Sequence, residues 1–127
     1  MAPFTIFLVE DDVDIREALL DALRDKGYDV DWAGDGEQAL RRLRGGVRPG
    51  LILLDLTMPR MSGAEFRAAQ SADPALSDLP VVLLSADLRM DERARALRVA
   101  ASLRKPVDVD ALYAVIERFR AVSKTSA

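Results

Sequence analysis

The stretch LILLDLTMP, residues 51–59, places four aliphatic residues directly before a carboxylate, Asp55, and stops at Pro59. Consecutive apolar residues are typical of a strand covered on both faces, as in a parallel sheet with helices on each side. Proline has no backbone N–H to donate to a neighbouring strand, so the strand must end before it. The stretch therefore predicts a buried strand with an ionisable group at its carboxyl end.

Other short apolar runs alternate with helical patterns along the chain. These runs are residues 4–9, 28–33, 79–84 and 100–103. Apolar residues recur at helical spacing in 15–23, 39–43 and 112–119, and more weakly in 64–72 and 90–99. Asp12 or Asp14 can cap the first helix, and Gly27 can end it. The β-α alternation, repeated five times, predicts one α/β domain with a doubly wound, five-stranded parallel sheet.

Composition narrows the possible functions. The chain has 127 residues, half of them apolar, which is enough for one buried core. It contains no cysteine and no histidine, so disulfides, thiolate ligands and histidine chemistry are excluded and any metal must bind oxygen. A net charge of −3 argues against direct nucleic-acid binding. Without a long apolar run or a signal-peptide pattern, we expect a cytoplasmic protein with no membrane insertion.

Polar residues stand at the carboxyl ends of four predicted strands, where sheets of this kind bind ligands. They are Glu10, Asp11 and Asp12 after the first run, Asp55 after the third, Ser85 after the fourth and Lys105 after the fifth. Two carboxylates about 4 Å apart repel by about 4 kcal/mol at an effective dielectric constant of about 20, so gathered acids need a cation. Oxygen ligands alone favour Mg²⁺ or Mn²⁺.

The same residue types suit phosphoryl chemistry. Lys105 offers a positive charge and Ser85 a hydroxyl donor for phosphoryl oxygens, and Asp55 is a candidate nucleophile for an aspartyl phosphate. Taken singly, each of these residues is more often a helix cap, a turn residue or a solvated side chain. Their combination on one edge of the sheet favours a binding site.

Five segments carry a resemblance to a known family. They are VEDDVDIRE (9–17), AGDGEQAL (33–40), LILLDLTMPRMSG (51–63), PVVLLSA (80–86) and LRKPVDVDAL (103–112). With them, the chain resembles the receiver domain of two-component response regulators, especially the single-domain chemotaxis type. The resemblance implies a (βα)5 flavodoxin-like fold with strand order 2-1-3-4-5. We assign residues 1–122 to the receiver domain and 123–127 to a short polar tail.

The resemblance also implies a chemistry for Asp55. This residue is expected to accept a phosphoryl group from a sensor histidine kinase or a phosphotransfer protein, with Mg²⁺ held by Asp11, Asp55 and the Thr57 backbone carbonyl, and by Glu10 through water. Lys105 is expected to pair with the carboxylate or its phosphate. Such a domain catalyses only its own phosphorylation and slow dephosphorylation and is not otherwise an enzyme.

Further positions are assigned by the same resemblance. Ser85 is expected to donate its hydroxyl to the phosphoryl group, and the Lys105-Pro106 bond is cis in most relatives. Asp12 is an additional acid beside the site or only the first residue of a helix. Thr57 and Asp87 occupy positions that tune dephosphorylation in the family.

The chain differs from the family around its fifth strand. Ser102 occupies the position where many relatives carry an aromatic residue that rotates on activation, and Ala100 stands where glycine is usual. The segment between Ser85 and Lys105 is about two residues shorter than in most relatives, so we expect an altered turn into strand five. Phosphorylation can still act through the loop after Ser85 and helix four.

The output of such a domain is a separate question. We expect signalling to an unknown downstream protein through the helix 4, strand 5 and helix 5 face, by a monomer or weak dimer. This region carries Arg89, Arg93, Arg95, Arg98 and Arg104. These arginines form either a surface for an acidic partner or a solvated helix face. Because only the short polar segment SKTSA follows helix five, we expect the regulated partner to be a separate protein, unless this chain is a fragment of a longer one.

Two other classes of function fit parts of the pattern. One is a Mg²⁺-dependent phosphohydrolase of the haloacid-dehalogenase type, but these enzymes usually carry an acid two residues after the nucleophile, where this chain has Thr57. The other is a pseudo-receiver that binds protein partners without being phosphorylated. Ser102 and the shortened loop keep this second alternative open, whereas the complete set of acids, hydroxyl and lysine argues against it.

Overall fold

The structure, a computed structural model, describes residues 4–56, 58, 61–87 and 89–125. Its elements are β1 (Thr5–Val9), α1 (Val13–Asp25), β2 (Asp29–Ala33), α2 (Gly36–Arg44), β3 (Leu51–Asp55), α3 (Gly63–Ala72), β4 (Val81–Ser85), α4 (Met90–Leu97), β5 (Ala101–Arg104) and α5 (Val109–Thr125). The predicted alternation is confirmed, with strand ends displaced by one or two residues. Helix α5 continues through Thr125, into the segment assigned to the polar tail.

The five strands form one parallel sheet in the order β2-β1-β3-β4-β5, as predicted. The chain builds outward from β1 to β2 and then returns to add β3 on the other side of β1. The connections that leave β1 and β3 therefore diverge to opposite faces of the sheet. A crevice opens between them at the carboxyl ends of these two strands.

The apolar run of β3 is divided between two cores. Leu51 and Leu53 lie in a cluster with residues of α1 and α5, whereas Ile52 and Leu54 lie in a cluster with residues of α2 and α3. All four side chains are fully buried. Because successive side chains of a strand point to opposite faces, only a strand covered on both sides has an apolar residue at every position.

Helix α1 begins and ends at residues whose local chemistry favours a helix end, whereas α4 does not. Asp12 caps α1 by accepting the Ile15 N–H at 3.0 Å, which confirms one of the two predicted caps. Gly27 follows α1 with a φ of 95°, a conformation that favours glycine. By contrast, α4 is followed by Arg98, whose φ of 55° is uncommon for a residue with a side chain. None of the described helices has the length and apolar character needed to cross a bilayer.

Candidate functional site

Side chains from three strand ends meet at the crevice. Glu10 follows β1, Asp55 ends β3 and Lys105 follows β5. The Lys105 ammonium lies 2.7 Å from Oε1 of Glu10 and 3.1 Å from Oδ1 of Asp55. Glu10 is fully buried and Asp55 is 5% exposed. One ammonium group thus bridges two buried carboxylates.

The shared ammonium does not fully compensate for burial of the Asp55 carboxyl group. Burial and the adjacent Glu10 carboxylate raise the pKa of Asp55 to about 7, against the opposing effect of Lys105. For Lys105, burial disfavours the charged form, but the two carboxylates outweigh it and raise the pKa of the ammonium group. The lysine therefore remains charged in the range where Asp55 titrates.

A third carboxylate completes an acidic cluster. Glu10, Asp11 and Asp55 each offer a carboxylate oxygen, and these three atoms lie within 4.8 Å of one another. With one ammonium among three carboxylates, the fully ionised cluster carries two uncompensated negative charges. Oxygen donors and a double negative charge fit a divalent cation such as Mg²⁺ or Mn²⁺.

The cluster opens into a cleft of about 260 Å³ that extends to the end of β4. Ser85 and Asp87 line this cleft together with the acids and Lys105. The Ser85 side chain is almost completely buried, and its Oγ accepts the Asp87 N–H at 2.9 Å. Ser85 therefore lies on the wall of the same cleft as Asp55, as expected for residues at neighbouring strand ends.

The remaining predicted residues are placed as follows. Asp12 is exposed, lines the cleft and caps α1. The Lys105-Pro106 peptide bond is cis. Ser102 is half-buried on β5 and pairs in register with Leu83. Thr57 lies outside the described residues, so its backbone carbonyl has no described position.

Two residues contribute to the site although sequence patterns assigned them no role. Arg16 of α1 donates from Nη1 to the Glu10 carbonyl at 3.2 Å, and its guanidinium stacks 4.1 Å from the centre of the Trp32 ring. A Cβ on Gly63 would come within 2.5 Å of the Asp55 carbonyl oxygen, so only glycine fits beside the end of β3. Gly63 is the last residue of the segment LILLDLTMPRMSG (51–63), which resembles the family, whereas nothing in the residue spacing indicates the Arg16 contacts.

Comparison with known proteins places this geometry in a family. The family model of the response regulator receiver domain matches residues 6–117 of this chain. The response regulator MprA of Mycolicibacterium vanbaalenii is 37% identical over 115 residues, which cover 88% of this chain and 48% of that protein. The DNA-binding response regulator MtrA of Mycobacterium tuberculosis is 42% identical over 81 residues, covering 64% of this chain and 34% of that protein. The chain thus spans half or less of the length of these curated relatives.

Solved structures show the same fold. The chemotaxis protein CheY4 of Vibrio cholerae has a TM-score of 0.83 at 28% identity, covering 93% of this chain and 99% of that one. A response regulator receiver protein from Pseudomonas putida has a TM-score of 0.83 at 28% identity, covering 93% of this chain and 98% of that one. With the family match across 6–117, these likenesses establish that the chain belongs to the response regulator receiver domain family.

Proposed function

We propose that this chain is a phosphoacceptor domain that receives a phosphoryl group on Asp55 from a sensor histidine kinase or a phosphotransfer protein. The main support for this proposal is the Lys105 ammonium, which contacts both Asp55 and Glu10 in a cluster whose third carboxylate is Asp11. The cluster supplies an oxygen nucleophile, a fixed positive charge and a divalent-metal site in one cleft. Phosphoryl transfer requires this combination of positioning and charge stabilisation.

Each side chain has a defined part in the proposed reaction. An Asp55 carboxylate oxygen attacks the phosphorus, a new O–P bond forms and the bond to the donor's leaving group breaks. Bound Mg²⁺ would neutralise charge on the phosphoryl oxygens, held by Asp11 and Asp55 directly, by Glu10 through water and by the Thr57 carbonyl. Lys105 neutralises further charge, and Ser85 donates its hydroxyl to a phosphoryl oxygen.

Signal lifetime and output follow from the same assignment. Asp12 and Asp87 line the cleft that contains Asp55, and Thr57 follows Asp55 by two residues in the sequence. We propose that Thr57 and Asp87 set the rate at which water removes the phosphoryl group. The chain then acts in the cytoplasm by altered protein binding through α4, β5 and α5, and does not itself contact nucleic acid. DNA binding is stated for MtrA, of which this chain covers about a third.

Labelling with acetyl phosphate tests this proposal. With Mg²⁺ present, intact-mass spectrometry should show one added phosphoryl group on the wild-type protein and none on Asp55→Asn. Asp12→Asn is the matched control, because it makes the same charge change at an exposed residue and should still be labelled. A wild-type protein that takes up no phosphoryl group would instead support a pseudo-receiver, and equal labelling of Asp55→Asn would contradict the assignment of the acceptor.

A further inference from the structure

Residue 102 is a serine, so no aromatic ring at this position can transmit a change at Asp55 to the surface. The register of β4 and β5 places Ser102 beside Leu83, whose side chain lies in the core cluster to which Ala94 and Leu97 of α4 also belong. A serine in this position has no ring to rotate. Any movement that reaches α4 must therefore pass through other contacts.

Asp87 makes contacts of the required kind. Its N–H donates to Ser85 Oγ at 2.9 Å, and its Oδ1 accepts the Arg89 N–H at 2.8 Å. Its Oδ2 forms an ion pair with Nε of Arg93, at 3.1 Å, in the first turns of α4. Nη1 of Arg104 on β5 lies 3.5 Å from the Asp87 carbonyl oxygen. One residue thus joins the end of β4, the beginning of α4 and β5.

The two ends of α4 are held differently. At its carboxyl end, Arg67 of α3 donates to the carbonyl oxygens of Leu97 and Arg98, both at 2.9 Å. Arg67 also donates to Oε1 of the fully buried Gln70, so this end is fixed to the body of the protein. At the amino end, no side chain of the described residues caps the first turn. The Asp87 carboxylate ties this end to the loop after β4, through the Arg89 N–H and through the ion pair with Arg93, which is the contact that reaches into the helix itself.

We propose that Asp87 is a positioning residue that carries movement of the Ser85 hydroxyl to the amino end of α4 through its ion pair with Arg93. This inference rests on the proposed function. When Ser85 donates to a phosphoryl oxygen on Asp55, its Oγ moves toward the cleft and the Asp87 N–H follows it. The Asp87 carboxylate then draws Arg93, and α4 turns about the end held by Arg67.

The surroundings of the pair permit this movement. A cleft of about 180 Å³ separates Asp87 and Arg93 from Leu56, Met58 and the start of α3, so the loop has space to shift. The Arg93 side chain is 51% exposed and that of Asp87 is 32% exposed. An ion pair this exposed contributes little to stability, so its removal should leave the fold intact.

Beryllofluoride, a phosphoryl mimic, tests the coupling by NMR in the presence of Mg²⁺. In the wild-type protein, amide resonances should shift at residues 10–12, at residues 85–87 and along α4. Arg93→Gln should keep the shifts at 10–12 and 85 and lose at least half of the shift in α4, whereas Arg93→Lys, which retains the charge, should restore it. Arg95→Gln is the matched control on the same helix, because Arg95 has no ion pair with any described residue.

The outcomes separate this inference from the proposed function. If beryllofluoride shifts no resonance near Asp55 in the wild-type protein, the proposed function is wrong and the coupling fails with it. If residues 10–12 and 85 respond, the proposed function stands. Equal α4 shifts in the wild type and in Arg93→Gln would then contradict the role of the Asp87–Arg93 pair alone. An α4 that does not respond in the wild type would do the same.

Discussion

Asp55 is a carboxyl group placed where its charge is poorly compensated. It shares one ammonium group, Lys105, with the fully buried Glu10, and it has almost no contact with water. Burying a charge without its own partner disfavours the ionised form, which is why the pKa of Asp55 rises to about 7. The arrangement lowers the stability of the metal-free protein and leaves the carboxylate in need of a cation. A divalent cation bound beside Asp55 would supply the missing positive charge, as the proposed function requires.

The poorly compensated charge of Asp55 predicts that the effect of Asp55→Asn on the free energy of unfolding depends on pH. The pKa of Asp55 rises from 3.8 when unfolded to about 7 when folded, so the native state binds the proton more tightly between these values. Wild-type stability should therefore fall as pH rises through this window and level off above it. Asparagine does not titrate, so the free energy of unfolding of the variant should exceed that of the wild type by up to roughly 4 kcal/mol near pH 8. This difference corresponds to about 3 pKa units at about 1.4 kcal/mol each.

Urea unfolding without Mg²⁺, followed by circular dichroism at several pH values from about 4 to about 8, measures this difference. Lys105 does not confuse the result, because its raised pKa gives a contribution that is constant below about pH 10. Asp12→Asn is the control, because Asp12 is exposed and asparagine caps helices equally well, and it should not reproduce the gain of Asp55→Asn at about pH 8. An Asp55→Asn protein less stable than the wild type at about pH 8 would contradict the prediction.

Among the described helices, α4 is the shortest, and it depends on contacts from outside itself. It has eight residues, and isolated helices of this length are unstable in water. Its buried contacts come from Ala94 and Leu97, which are only partly buried against the core. The carboxyl end relies on Arg67 of α3, whose planar guanidinium reaches two carbonyl groups at once. The described side chains of α4 thus make few buried contacts, and an element held in this way can move without disturbing the sheet.

Arg67→Lys is predicted to loosen α4 at its carboxyl end. A lysine ammonium cannot reproduce the forked contact with Leu97 and Arg98 and the contact with Gln70. Loss of charge-assisted hydrogen bonds that are partly exposed should lower the free energy of unfolding by about 1–2 kcal/mol. Hydrogen exchange should accelerate in α4 more than in β1 or β3. Arg95→Lys, a change on the exposed surface of α4, is the control and should have little effect; uniform acceleration across the sheet in Arg67→Lys would argue against a local anchor.

At the scale of the whole molecule, the sequence predicted the sheet well because β3 and β4 each have four consecutive apolar residues before the polar residue that ends the strand. Such runs have one physical explanation, burial on both faces, and the residues that end them lie at one edge of the sheet. The expectation that the acids after β1 and β3 share one edge of the sheet followed from the alternation of strands and helices, whereas the choice of Glu10, Asp11 and Asp55 among them came from the family resemblance. The contacts of Asp87, Arg67 and Arg16 did not follow, because each joins elements whose relative orientation depends on tertiary packing. Periodicity describes one element at a time and carries no information about such pairs.

The whole domain should respond to Mg²⁺, because the acidic cluster joins the connections that leave β1 and β3 on opposite sides of the crevice. A ligand that binds only the native state stabilises it by about 2.7 kcal/mol at about one hundred times its dissociation constant. Asp11→Asn should abolish most of this gain while leaving the metal-free protein intact, since the described residues show no hydrogen bond to the Asp11 carboxylate. Asp12→Asn makes the same charge change one residue away and should retain the gain. Thermal unfolding with and without Mg²⁺ measures the stabilisation in each variant. Equal losses of this stabilisation in Asp11→Asn and Asp12→Asn would show that net charge, and not the position of Asp11, determines metal binding.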